Sequence, residues 1–319
     1  MPAALAFGIA ALLTPFARRV AIAVGLVDRP SDPTLAIHAR PVPILGGLAV
    51  VAATLASVAV LGDELPGAIV AATLIAFAIG VVDDFRPLHE APRLLVLAGA
   101  GVVLAAGDIR LVPLGVLAGA GTVVLVIACA NATNLIDGQN GLAGGLGVAA
   151  ALGLAGIAGD AGAVVSLGLA LAGGLAGFLV WNLPGRIFLG NGGAYAVGVL
   201  LAALASIAAS AHGWRGVLSA ATCLGVFGFE VLFTIVRRVG SGAALTPGDR
   251  QHAYDLVAVR STRGSSTATF WIAGAVCAAL GIAIRAVPLA AGAALFALLA
   301  AGAAVWGRRL WLARERPAP

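Results

Sequence analysis

Apolar residues along this chain come in long runs, broken at intervals by short clusters that carry charge, Pro or Asn. Read between those breaks, the pattern predicts eleven spans: about 1–17, 44–62, 66–82, 93–108, 112–130, 144–159, 162–181, 194–211, 216–236, 267–285 and 288–306. The first run begins at Met1 with no basic stretch ahead of it, which predicts a retained membrane helix and not a cleaved signal. Lone prolines at 15, 66 and 288 fall near predicted span ends, where a missing N–H is tolerated. Gly and Ala, dense around residue 170, supply small surfaces for close helix packing. The expected fold is an all-α polytopic membrane protein, one domain over 1–319.

Composition narrows the class further. Of 319 residues, 61% are hydrophobic and 10% charged, which excludes a disordered chain, a disulfide scaffold and an ordinary soluble domain. Cys129, Cys223 and Cys277 all lie in apolar runs and are expected to be packing residues. The 19 basic residues are all Arg, and the net charge of +5 gives no reason to expect nucleic acid as a partner. With eleven spans the termini lie on opposite sides. Sixteen arginines then fall in one set of loops and only Arg110, Arg215 and Arg285 in the other, so the first set is expected to be cytoplasmic, the N-terminus outside and the C-terminus inside. Asp28, Asp32, Asp83, Asp84, Glu90, Asp137, Asp249, Asp255 and Glu315 share that face, which implies a site open to the cytoplasm.

Four segments concentrate the chemistry. AIGVVDDFRPLHE sets Asp83 and Asp84 at the end of the third span; neighbours on a helix point apart, so the two carboxylates are expected to divide labour unless they merely form a solvated helix end. NATNLIDGQNGLAGG repeats polar groups every three residues, at Asn131, Asn134, Asp137 and Asn140, which predicts one polar ridge at a helical or partly 3₁₀ end; the alternative is a cap and turn. RIFLGNGGAY surrounds Asn191 with Gly190, Gly192 and Gly193, whose N–H groups suit phosphate oxygens, and places Phe188 nearby. The longest cytoplasmic loop supplies Asp249, Arg250, His252, Asp255, Arg260 and Arg263 for anion binding, with His252 titratable. The first loop adds His38, Arg40 and the Gly46/Gly47 pair. Glu230, inside the ninth span, is expected to be protonated or paired within the bundle.

Taken together, HARPVPILGG, VVDDFRPL, NATNLIDGQNGLAGG, RIFLGNGGAY and GDRQHAYDL resemble, in order and over roughly residues 25–265, the polyprenyl-phosphate N-acetylhexosamine-1-phosphate transferases, relatives of the phospho-MurNAc-pentapeptide translocase. The resemblance implies an integral enzyme of the bacterial inner membrane. In that reaction a polyprenyl phosphate attacks the β-phosphate of a UDP-sugar, giving polyprenyl-diphosphate-sugar and UMP. Mg²⁺ is required, Mn²⁺ is a conceivable substitute, and homodimers are common. By motif position, Asp83 and Asp84 match the essential acid pair, one binding metal and the other orienting or deprotonating the lipid phosphate. Asn134 and Asp137 match the nucleotide-sugar pocket near the metal, with Asp84, Asp137 and Asn191 as the implied metal set. Asn140 and Phe188 match the uracil-recognising carboxylate and the stacking aromatic. Arg40, Arg250, His252 and Arg263 are implied to handle phosphates, His252 as a catalytic group.

Two positions depart from the family pattern. Asn191 stands where the family has a metal-binding Asp, which leaves open a divergent active enzyme, a weakened or silent nucleotide-sugar binder, and a substitution made to trap substrate. His252 stands alone where the translocase has a histidine triplet, which favours the N-acetylhexosamine branch that primes O-antigen, teichoic-acid or capsule glycans. A transporter or flippase would carry its charges near the bilayer midplane, and only Glu230 fits that.

Overall fold

The structure, a computed structural model, describes residues 1–29, 41–159, 162–242 and 249–313. Among these the chain forms twelve α-helices: α1 Pro2–Ala23, α2 Gly46–Val60, α3 Gly67–Phe85, α4 Glu90–Ala106, α5 Ala118–Ile136, α6 Leu142–Ala158, α7 Gly162–Asn182, α8 Gly190–Cys223, α9 Gly225–Gly240, α10 Ala253–Arg260, α11 Arg263–Ala286 and α12 Leu289–Ala313. A 3₁₀ segment, Val112–Leu117, precedes α5. The described strands are β1 Val27–Asp28 and β2 Val42–Pro43, an antiparallel pair with Val27 opposite Pro43. Helices α1, α3, α7, α8, α11, α12 and α5 with its 3₁₀ segment are long and apolar enough to cross a membrane, and α2 and α6 are shorter apolar helices. The chain reads as a multi-pass membrane protein built of helices.

Helix α8 runs through the middle, with α2, α3, α5, α6 and α11 packed around it and much of its length fully buried. Where polar side chains enter this apolar interior they satisfy themselves locally: the hydroxyls of Thr14, Thr54, Thr73, Thr122 and Thr133 each donate to the carbonyl four residues earlier, at 2.6–3.0 Å.

Two predicted boundaries move. Helix α1 does not stop before Arg18 and Arg19 but continues to Ala23, because Ala17 and Ala21 extend its buried face and Arg18 donates to the Arg186 carbonyl at 3.2 Å. Pro15 therefore lies inside the helix, where its ring removes the bond to the Ala11 carbonyl. The indole N–H of Trp181 on α7 takes up that carbonyl at 3.0 Å, so the break costs no unsatisfied group. The eighth and ninth predicted runs also do not map one to one. Helix α8 carries its hydrogen bonding on to Cys223 across Gly213, whose φ of 59° and ψ of −142° leave the helical region, and α9 begins at Gly225.

Candidate active site

The C-terminal end of α3, the end of α5, the N-terminus of α8 and the segment entering α10 meet around a cavity of about 470 Å³. It gathers Asp83, Asp84, Asn134, Asp137, Phe188, Asn191, Arg250 and His252, all singled out by sequence. Arg40, like His38, lies outside the described residues.

The two neighbouring aspartates do divide their contacts. Asp83 is nearly fully buried; its Oδ1 accepts the Leu88 N–H at 2.8 Å, and its Oδ2 faces Asn191 Nδ2 at 3.0 Å, the Tyr195 hydroxyl at 3.3 Å and Arg93 Nη1 at 3.4 Å. Asp84 instead accepts the N–H groups of Asn191 at 3.0 Å and Gly192 at 3.2 Å. These are orphan donors of the first turn of α8, so Asp84 caps that helix from another helix and sits at the positive end of its dipole. Of the three glycine N–H groups expected to meet phosphate, that of Gly192 is taken by Asp84.

Glycine is needed here for contact between backbones. At Gly190, φ is +79°, and a Cβ would stand 2.5 Å from the Ile44 carbonyl oxygen and 2.9 Å from Asp84 Oδ2. Gly46 and Gly47, expected to approach a ligand, instead donate to the carbonyls of Phe188 and Leu189 at 2.9 Å each, while Phe188 N–H donates to Pro43 O at 2.8 Å. Residues 43–47 are thereby laced to the entry of α8.

The polar ridge predicted over residues 131–140 does not exist as one face. Residues three apart on an α-helix fall about 60° short of a full turn, and α5 ends at Ile136. Asn131 turns back to the Ile127 carbonyl at 2.8 Å, while Asn134 Nδ2 reaches Asn191 Oδ1 at 2.5 Å. Asp137 opens to the cavity. Burial and the neighbouring Asp84 charge push its carboxyl well above the usual carboxylate range, against a Gly190 N–H that favours ionisation.

On the opposite wall, Arg250 donates to the Gly138 carbonyl at 2.9 Å and pairs with Asp255. The Tyr254 hydroxyl donates to Leu135 O at 3.0 Å, and the Tyr254 ring lies parallel to that of His252 with centroids 5.2 Å apart. Arg237 grips both oxygens of Asp249 at 2.8 Å, with Arg238 Nε at 3.2 Å. Burial resists ionisation of Asp249, but the two guanidiniums and the Gln251 N–H outweigh it and hold its carboxyl below the usual range.

Asn140 and Arg263 do not line this cavity. With Gln139, Leu183, Thr267 and Trp271 they line a second recess of about 320 Å³, whose lining does not include Phe188. Gln139 donates to Thr267 and to the Arg263 carbonyl, and Trp271 donates to Gly141 O at 3.0 Å; Asn140 Oδ1 is buried there without a hydrogen-bond partner. Sequence reasoning passed over Tyr195 and Tyr254. The signal was available: they are the chain's only two tyrosines, Tyr195 in the glycine motif after Asn191 and Tyr254 beside His252 and Asp255.

Among the described residues no group of three or more His, Cys, Asp and Glu is disposed to hold a metal by itself. Asp84, Asp137 and the Asn191 carboxamide nevertheless offer oxygen donors to the cavity, and the resisted ionisation of Asp137 is what an added cation relieves. That donor set suits a hard divalent ion whose remaining ligands are phosphate oxygens and water.

Residues 67–209, which carry the acid pair, the Asn134–Asp137 turn and the entry of α8, match the family model described as Glycosyl transferase family 4. The chain is 27% identical over 261 residues to a Bacillus subtilis protein named "Probable undecaprenyl-phosphate N-acetylglucosaminyl 1-phosphate transferase", covering 76% of this chain and 72% of that one. It is 30% identical over 300 residues to decaprenyl-phosphate N-acetylglucosaminephosphotransferase of Mycolicibacterium smegmatis, covering 77% and 72%. Against undecaprenyl-phosphate alpha-N-acetylglucosaminyl 1-phosphate transferase of Escherichia coli O157:H7 it is 27% identical over 267 residues, covering 76% and 71%. With this cavity at the crossing of the matched segments, the chain belongs to glycosyl transferase family 4.

Proposed function

We propose that the protein transfers N-acetylhexosamine-1-phosphate from a UDP-sugar to polyprenyl phosphate. An oxygen of the lipid phosphate attacks the β-phosphorus, the bond from that phosphorus to the bridging oxygen breaks, and UMP leaves carrying that oxygen. The observation that carries this reading is the meeting of Asp83, Asp84, Asp137 and Arg250 in one cavity between membrane-length helices, where a lipid phosphate and a soluble nucleotide can reach one another. The names of the relatives support the acceptor and the phosphosugar.

Mg²⁺ held by Asp84 and Asp137, with the Asn191 oxygen available, would offset the repulsion between the two anions and the charge that develops at phosphorus. Asp83 would act on the lipid phosphate indirectly, through the Asn191 side chain that it holds. Arg250, held by Asp255 and Gly138 O, presents a fixed cation to the diphosphate, and His252 is placed to manage a proton on the same wall. The second recess suits the uracil: Trp271 and Leu183 give apolar walls, and Asn140 Oδ1, buried without a partner, would accept from the base N3–H once the side chain turns into the recess. Phe188 lines the main cavity instead, which assigns it to the phosphosugar side. The accompanying topology is eleven spans in the bacterial inner membrane, N-terminus outside and C-terminus cytoplasmic, with the site on the cytoplasmic face and a homodimer as the assembly.

Asn191 favours a second reading, a relative that binds nucleotide sugar without turnover. One assay separates them: UMP release by purified protein with polyprenyl phosphate, Mg²⁺ and a panel of UDP-N-acetylhexosamines, run beside Asp84→Ala and Asn191→Asp. Turnover by the parent and its loss in Asp84→Ala support the transferase. Turnover only in Asn191→Asp supports the silent binder.

A further inference from the structure

Glu230 is the one acidic side chain with no exposed surface among the described residues, and it sits inside α9. Its Oε1 has two neighbours: the Ala253 N–H at 3.1 Å, the first residue of α10, and His252 Nδ1 at 2.9 Å. One hydrogen lies between Oε1 and Nδ1, and an ionised Glu230, accepting the amide hydrogen on the same oxygen, leaves it on Nδ1. Thr234 Oγ1 stands 3.3 Å from the same nitrogen, on the same helix. The Nδ1 edge of the imidazole is thus committed to α9, and the Nε2 edge remains for the cavity that His252 lines. The ring itself is held flat against Tyr254.

We infer that Glu230 is a positioning residue: its buried carboxylate fixes His252 as the Nδ1–H tautomer and turns a bare Nε2 toward the reacting phosphates. The geometry resembles in kind the carboxylate that orients a catalytic imidazole in hydrolases. The role in turnover rests on the transferase reading; the tautomer does not. In water the Nε2–H form of neutral histidine is the more stable one, so a fixed Nδ1–H form requires a partner such as this.

The test is ¹⁵N spectroscopy of histidine-labelled full-length protein in lipid nanodiscs, at a pH where the imidazoles are neutral, with the His252 signals assigned by their loss in His252→Asn. The parent is expected to show Nδ1 protonated and Nε2 bare. Glu230→Gln, whose amide oxygen accepts both hydrogens, keeps that pattern, while Glu230→Leu moves His252 toward the Nε2–H form. In the UMP assay Glu230→Leu loses on the order of 10²-fold in kcat with KM little changed, Glu230→Gln recovers most of that loss, and Glu230→Leu adds nothing in the His252→Asn background. An Nε2–H signal in the parent overturns the inference even if Glu230→Leu fails to fold. So does a folded Glu230→Leu with parental tautomer or parental kcat. A parent with the expected tautomer and no UMP release overturns the transferase reading alone.

Discussion

Asn191 Nδ2 donates to Asp83 Oδ2 across 3.0 Å, so the residue proposed to lend an oxygen to Mg²⁺ is at the same time a hydrogen-bond donor to the acid pair. Its Oδ1 meanwhile accepts from Asn134. Replacing Asn191 with Asp turns that attraction into repulsion between like charges in a partly buried site. Asn191→Asp is expected to be less stable than the parent without divalent ion and to gain more thermal stability when Mg²⁺ is added. Unfolding followed with and without Mg²⁺ checks this; equal shifts in both proteins would remove position 191 from the cation site.

Asp84 serves both the α8 N-terminus and the cavity. Asp84 accepts the Asn191 N–H on Oδ1 and the Gly192 N–H on Oδ2, so Asp84→Asn keeps one of the two acceptors and removes the charge; a loss of about 1–3 kcal/mol in stability is expected beside a drop in turnover on the order of 10²–10³-fold. Single-turnover rates beside a melting curve separate the two effects.

Close approach of α3 to the entry of α8 sets the site. A Cβ on Gly80 would meet backbone atoms of Asn191 and Gly192 at 2.5 Å, and backbone cannot yield as a side chain can. Gly80→Ala is expected to cost about 1–3 kcal/mol and to impair turnover by shifting Asn191. Parental stability and rate would show that this contact does not fix the cavity.

The Asp249 carboxylate is depressed in the folded protein, so its pairing with Arg237 and Arg238 stabilises fully above the unfolded carboxylate value of about 3.9 and fades as pH falls through the lower folded value. The difference in unfolding temperature between the parent and Asp249→Asn should be largest near neutral pH and close below about pH 4. A difference independent of pH contradicts this.

If the second recess holds the base, Asn140→Ala raises KM for the UDP-sugar with little change in kcat, the signature of lost uniform binding. A fall in kcat alone would place Asn140 with the reacting phosphates.

Much of this was legible in the sequence because apolar run length and the spacing of Asp, Asn and His are local properties. The acid pair, Asp137, Asn191 and the Arg250–His252 segment were found that way, and they do share a cavity. What failed depends on helix crossings. The ridge over residues 131–140 dissolves because α5 stops at Ile136, and the Gly192 N–H meets Asp84 because α3 lies against it. Nothing local could place Asn140 and Phe188 in separate recesses, or pair Glu230 with a histidine 22 residues away. Pro15 inside α1 is tolerated only because Trp181 arrives from α7.

The most direct test follows the phosphorus. With UDP-N-acetylglucosamine labelled at the β-phosphate with ³²P, polyprenyl phosphate, Mg²⁺ and the purified protein, the account predicts that label moves into an organic-extractable lipid diphosphate while UMP forms unlabelled and in equal amount. Label that stays in the UDP-sugar, or appears as inorganic phosphate with no labelled lipid, contradicts it.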